Sequence, residues 1–197
     1  MRSGGVFIVI ALWLTAAVAG AVVLTRSKST PASLVPPAPR EVLPTGSTVR
    51  LAEDRPTVIV TVHPQCPCTR ATFTELQKFL TRQQGKVAAL LLFVQPEGED
   101  ASFIHGALWD RAGQWPDVQR TIDVDGTVSK RLGAHTSGTA LLYAPDGRLL
   151  FRGGLTVARG HEGDSPGAER MTVLLAGQRA LSTAPVFGCG LENEEGS

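Results

Sequence analysis

Three cysteines, Cys66, Cys68 and Cys189, are the residues of this chain best suited to chemistry. The first two stand one residue apart in HPQCPCTRA, between an apolar run and a predicted helix. If Cys66 is the N-cap of that helix, Pro67 takes the first helical position, which suits proline because an N–H there would be unpaired. The free N–H groups and the dipole of the first turn would then stabilise a Cys66 thiolate. The stretch therefore predicts a reactive thiol at residue 66.

The cysteine spacing leaves the partner of Cys66 open. Residues i and i+2 have Cα atoms about 5.5–7 Å apart, and disulfides need about 4.4–6.8 Å, so a Cys66–Cys68 bond would be strained. Cys189, in PVFGCGL, is the other candidate. Alternatively Cys66 and Cys68, with Cys189 or His63 as a further ligand, would bind a soft ion such as Cu(I). Zinc is less suitable because its sites usually separate the first two cysteines by two to four residues. Buried, inert thiols are the remaining interpretation.

Four further polar residues are candidates for supporting the cysteines. His63 and Arg70 flank the CPC stretch and would favour a thiolate. His161 and Asp164 lie in the glycine-rich stretch RGHEGD, residues 159–164. They are candidates to act at the CPC site as base, ligand or substrate clamp, and the other interpretation is a solvated surface loop.

The N-terminus predicts a membrane anchor. Residues 6–24 contain no charge and would span roughly 28 Å as a helix, close to the thickness of a bilayer core. A cleaved signal peptide is the alternative because AVA at 17–19 matches a cleavage site, but the apolar run continues to Leu24. Residues 25–47 contain five prolines and predict an extended linker to a domain at 48–197. Both interpretations allow that domain to lie outside the cytoplasm, and we expect it in the periplasm, where disulfides persist. The net charge of +1 favours no nucleic-acid partner.

Hydrophobic patterning predicts a central mixed sheet with helices on both faces. The predicted strands are 57–62, 87–94, 118–122 and a hairpin within 139–154 that turns at Pro145-Asp146-Gly147. The predicted helices are one following the CPC stretch, one at 100–112, a short one within 124–133 and one at 166–178. The CPC stretch follows the first strand directly, at the edge where open α/β sheets place their ligands.

This order of elements resembles the thioredoxin-like fold of membrane-tethered thiol–disulfide proteins, over roughly residues 50–180. More narrowly, HPQCPCTRA, SGTALLYAPDGRLLFRGGLTVARGHEGD and PVFGCGL are similar to the bacterial thioredoxin-like proteins known as RedB. The resemblance implies a thiol–disulfide redox protein whose partner is a protein thiol or disulfide, and it requires no cofactor. It also implies that Cys66 is the attacking thiol, with Cys68 or Cys189 resolving.

The sequence departs from the thioredoxin pattern at two places. Thr69 stands where the resolving cysteine would be, and Cys68 comes one position early. The place of the family's cis-proline falls at Ser137-Gly138. Without proline a cis bond would cost about 2.5–4 kcal/mol, so we expect a trans bond there and an altered substrate groove.

Overall fold

A computed structural model describes residues 3–32 and 49–191, and it divides into two units between Thr30 and Pro31. The first unit is helix α1, Ser3–Ser29. Over Gly5–Ser29 this helix is long and apolar enough to cross a membrane. The sequence places residues 25–29 in the linker, whereas the structure continues α1 through them, since the first proline after the helix is Pro31. The rest of the predicted linker lies largely at 33–48, outside the described residues.

The second unit is built on one five-stranded sheet. Its strands are β1 Thr57–Val62, β2 Ala88–Gln95, β3 Val118–Val124, β4 Ala140–Tyr143 and β5 Leu149–Gly153, in the order β3-β2-β1-β4-β5. The three strands β1, β2 and β3 are parallel, while β4 runs antiparallel to β1, and β5 antiparallel to β4. The predicted central mixed sheet is confirmed, and the predicted hairpin is β4–β5.

Within residues 49–191 five helices pack on this sheet. They are α2 Pro67–Gln83, α3 Ala101–Ile104, α4 Ala107–Gly113, α5 Thr127–Arg131 and α6 Pro166–Leu175. Alternate residues of β1 point to opposite faces. Val58, Val60 and Val62 join a core cluster that includes residues of α2, α4 and α6. Ile59 joins a second cluster, against which Val128 of α5 packs. Both faces of the sheet are therefore covered. Because β1 is buried on both faces, its sequence is a continuous run of β-branched residues rather than an alternating pattern.

Two helices differ from their predicted lengths. The helix predicted at 100–112 is broken into α3 and α4, because His105 and Gly106 both have extended backbones. Glycine at this point weakens a continuous helix. The last helix stops at Leu175, short of 178, and Gly177 just beyond it has a left-handed backbone with φ +73°.

Candidate functional site

Cys66 lies where β1 gives way to α2. It is the N-cap of α2, with φ −77° and ψ 119°, and Pro67 follows within the first turn, as predicted. The Cys66 N–H donates to the His63 carbonyl at 3.1 Å, and the Cys66 carbonyl accepts from the Thr69 N–H at 3.1 Å. Its side chain makes no capping hydrogen bond, and the residue is 3% exposed. The sulfur is thus held, nearly buried, at the electropositive end of a 17-residue helix.

The structure pairs Cys66 with Cys189 in a disulfide. The two residues are 123 positions apart in sequence, and their Cα atoms are 6.4 Å apart. Cys68 is the free thiol and is partly buried. All three Sγ atoms lie within 4.8 Å of one another. Of the two partners left open by the sequence, Cys189 takes the bond, and Cys68 stands beside it as a third sulfur.

The segment that carries Cys189 is held by an isolated antiparallel β-bridge and the hydrogen bonds beside it. The Ser137 N–H donates to the Cys189 carbonyl at 2.9 Å, and the Leu191 N–H donates to the His135 carbonyl at 3.0 Å. An antiparallel bridge joins the same two segments between these bonds. The backbone of residues 135–137 therefore contributes to the position of Cys189 through these hydrogen bonds, in addition to the disulfide.

Gly188 explains how closely this segment approaches. A Cβ atom at this position would lie 1.9 Å from the Ser137 carbonyl oxygen, so only glycine fits here without a shift. The Arg159 guanidinium donates to the Gly188 carbonyl. Gly188 and Arg159 belong to PVFGCGL and RGHEGD, so two of the sequence blocks singled out above meet beside the disulfide.

Ser137 connects the three segments of the site. Its buried hydroxyl accepts from the His63 N–H at 2.8 Å and shares a hydrogen bond of 2.9 Å with the Thr69 hydroxyl. Its own N–H is the donor to Cys189. Sequence reasoning placed Ser137 at an altered groove and missed this connecting role. The one sequence feature that could have indicated this role is Thr69, which stands in place of the thioredoxin resolving cysteine and binds Ser137.

Gly138 brings the same loop against the sheet and α2. Its φ is +85°, its N–H donates to the Thr61 carbonyl at 2.8 Å, and a Cβ atom would lie 2.9 Å from Thr72 Oγ1. No cis peptide bond occurs among the described residues, in agreement with the trans bond expected at Ser137-Gly138. Glycine is required here by both its backbone conformation and its close packing.

His63 lies at the rim of the site. Its Nδ1 atom accepts from the Gln65 N–H at 3.3 Å, and its ring packs edge-on against Phe103 with centroids 5.6 Å apart. Partial burial of the side chain lowers the pKa of His63 from its ordinary value of 6.5. The neutral imidazole is therefore favoured at neutral pH, so the helix N-terminus, rather than a histidinium, is the positive feature beside Cys66.

The RGHEGD loop docks on α2 through a buried carboxylate. Glu75, 2% exposed, accepts from the Gly163 N–H at 2.9 Å and pairs with Lys78 at 2.8 Å. Sequence reasoning did not single out Glu75. The signal for it was a carboxylate close to the apolar face of α2 that Phe73 and Leu76 form.

Three of the predicted supporting residues remain on the surface. Arg70, His161 and Asp164 are exposed, and no hydrogen bond or ion pair links any of them to the cysteines in the part of the chain that the structure describes. Their proposed roles at the CPC site therefore stay predictions.

Comparisons with known proteins bear on the fold. No protein-family model and no curated protein matches the chain. A hypothetical protein from Sinorhizobium meliloti is 21% identical, with a TM-score of 0.59 over 73% of this chain and 82% of its own. An uncharacterised conserved protein from Geobacillus kaustophilus is 20% identical, with a TM-score of 0.59 over 86% of this chain and 92% of its own. At these identities the likeness shows the fold alone.

A more distant structural match is a secreted Mycobacterium tuberculosis disulfide oxidoreductase homologous to Escherichia coli DsbE. It is 16% identical and has a TM-score of 0.40 over 63% of this chain and 82% of its own, too low to support an argument. The fold class is defined by the topology described above. The mixed sheet has the order β3-β2-β1-β4-β5, and α2 follows an N-cap cysteine after β1. The second unit has a thioredoxin-like fold, preceded by an apolar helix that could span a membrane.

Proposed function

We propose that this chain is a membrane-anchored, extracytoplasmic thiol–disulfide redox protein of the RedB type. Its redox-active bond is the Cys66–Cys189 disulfide, and this bond is the observation that carries the proposal. One sulfur stands at the start of α2, where a thiolate is stabilised, and the other on a segment docked by hydrogen bonds. Helix α1 provides the anchor, and a disulfide of this kind persists outside the cytoplasm.

The proposed reaction is a two-step exchange. In the reduced protein the Cys66 thiolate attacks a partner disulfide, forms a mixed disulfide and expels one partner thiolate. The Cys189 thiolate then attacks the Cys66 sulfur, forms the bond seen in the structure and expels the second partner thiolate. The partner gains two electrons, and this protein loses them. The same steps in reverse oxidise a partner dithiol.

Cys68 adds a second resolving thiol. Because its sulfur lies within 4.8 Å of the other two, it can attack the Cys66–Cys189 disulfide without a large movement. A Cys68–Cys189 bond would return Cys66 as a free thiolate with no net change in oxidation state. The neighbouring pair Cys66–Cys68 is less favoured, since its i, i+2 spacing is close to the limit for a disulfide.

Trapping of the mixed disulfide tests the proposal. The full chain, purified in detergent and reduced, is treated with glutathione disulfide and mapped by mass spectrometry. The double variant Cys68→Ser/Cys189→Ser should accumulate glutathione at Cys66, because both resolving thiols are gone. The wild type should instead release glutathione and form Cys66–Cys189.

The matched control for this trapping is Cys66→Ser, which keeps two thiols and the same fold elements. It should react with glutathione disulfide much more slowly than the double variant at neutral pH, because no remaining thiol occupies the N-cap. Equal rates in the two variants, or a wild type in which Cys66 never reacts and no disulfide forms, would refute the proposed function.

A further inference from the structure

The three sulfur atoms of the site have the spacing of ligands around one metal ion. Cys66, Cys68 and Cys189 have their Sγ atoms within 4.8 Å of one another while two of them are still bonded together. A metal–thiolate bond of about 2.3 Å places the sulfurs of a trigonal site roughly 4 Å apart. Reduction of the disulfide would therefore leave three thiols that need only a small adjustment to surround an ion.

The donor set selects the kind of metal. Within the described part of the chain this group contains three cysteines and no histidine or carboxylate. Zinc sites in proteins are nearly always four-coordinate, and hard ions such as Mg²⁺ and Ca²⁺ prefer oxygen ligands. Soft thiolates select Cu(I). We propose that the reduced protein binds one Cu(I) ion through the thiolates of Cys66, Cys68 and Cys189.

The surroundings suit a negatively charged cluster. Three thiolates and Cu(I) carry a net charge of −2, and the first turn of α2 presents its positive end to Cys66. The Arg159 guanidinium, bound to the Gly188 carbonyl, adds a full positive charge beside the Cys189 segment. Cys66 is nearly buried and Cys68 partly so, which limits access of water and of competing ligands to the ion.

The disulfide makes this site dependent on redox state. In the oxidised form two of the three ligands are consumed by the Cys66–Cys189 bond. A dithiol reductant that donates two electrons and two protons breaks this bond and yields three thiols. Cu(I) then displaces the thiol protons as it binds. Binding of Cu(I) and formation of the disulfide therefore exclude each other. The reduced protein thus carries a metal ion in addition to its role in thiol–disulfide exchange.

An anaerobic competition experiment tests the site. The full chain in detergent is reduced with a phosphine, desalted and titrated with Cu(I) in the presence of a chromophoric Cu(I) chelator. We expect one Cu(I) per reduced chain and no stoichiometric binding to the oxidised chain. X-ray absorption should show three sulfur neighbours at about 2.3 Å.

Cys68→Ser is the decisive variant because it leaves the Cys66–Cys189 disulfide available as a check of folding. It should bind Cu(I) at least tenfold more weakly than the wild type, whereas His105→Gln, at an exposed residue outside the three-sulfur group, should bind as the wild type does. Wild-type affinity in Cys68→Ser, two sulfur neighbours in the wild type, or no stoichiometric Cu(I) would overturn the proposal. Glutathione trapping at Cys66 is measured without copper, so failure of the metal site leaves the exchange reaction separately testable.

Discussion

Replacement of Gly188 by alanine should make the Cys66–Cys189 disulfide easier to reduce. The added Cβ atom would lie 1.9 Å from the Ser137 carbonyl oxygen and 3.1 Å from Thr136 Cγ2. Cβ contacts under 3.0 Å are essentially never observed, so the segment has to move away from residues 136 and 137. The hydrogen bond from the Ser137 N–H to the Cys189 carbonyl lies next to this contact and would be weakened by the movement.

The size of the effect follows from the cost of overpacking. Inserting a methyl group into a well-packed site costs about 1–3 kcal/mol. The oxidised protein must bear this cost because the disulfide tethers Cys189 to Cys66, whereas in the reduced protein the untethered segment can shift. For a two-electron couple about 1.4 kcal/mol corresponds to 30 mV, so the reduction potential should rise by about 20–60 mV.

The assay is equilibration in glutathione redox buffers, rapid alkylation and quantification of the disulfide by mass spectrometry. Gly106→Ala is the matched control, because nothing lies within 4 Å of its added Cβ atom and its backbone is extended, with φ −167°. Its potential should equal that of the wild type. If Gly188→Ala also has the wild-type potential, or a lower one, the docking of this segment does not control the disulfide and the reasoning is refuted.

Three further predictions concern neighbouring groups. Cys68→Ser should retain the disulfide of the structure but lose intramolecular exchange, so peptide maps after incubation at alkaline pH should show one pairing where the wild type shows two; two pairings in the variant would contradict the role of Cys68. His63 should titrate below 6.5 by NMR because burial lowers its pKa. Below a pH of about 6.5 the unfolded chain therefore binds more protons at His63 than the folded chain does, so the free energy of unfolding should decrease toward acid pH. His63→Gln should flatten that dependence, and an unchanged slope in the variant would contradict the assignment to His63. Glu75→Gln should weaken the hydrogen bond from the Gly163 N–H, and thus speed hydrogen exchange at that amide by about tenfold or more, since bonds to charged groups contribute roughly 1.5–3 kcal/mol. Glu162→Gln, at an exposed carboxylate that accepts from the Thr74 hydroxyl at 3.3 Å, is its control and should leave that exchange unchanged.

Local rules were sufficient for the first half of the site. A continuous β-branched run predicts β1 because a strand buried on both faces has no polar positions. Pro67 predicts the start of α2, because proline is favoured only in the first turn of a helix. The N-cap position of Cys66 follows from these two elements without knowledge of the rest of the fold.

The partner of Cys66 depends on tertiary contacts that no local pattern contains. Cys189 is 123 residues away, and it reaches the site because residues 135–137 pair with its segment and Gly188 permits the close approach. The position of the RGHEGD loop also depends on tertiary contacts that its local sequence does not show. The buried Glu75 carboxylate on α2 binds this loop at Gly163, and His161 is exposed, whereas Arg159 of the same stretch donates to the Gly188 carbonyl beside Cys189.

Differential alkylation across a redox titration tests the central claim most directly. The full chain is equilibrated at a series of potentials, its free thiols are blocked with one reagent, and those released by reduction are labelled with a second. The structure predicts that at neutral pH Cys66 and Cys189 change label together, with the slope of a two-electron couple, while Cys68, whose exchange with the disulfide is expected at alkaline pH, carries mainly the first reagent. Labelling in which Cys68 titrates with Cys66, or in which Cys66 and Cys189 respond independently, would contradict a redox-active Cys66–Cys189 disulfide.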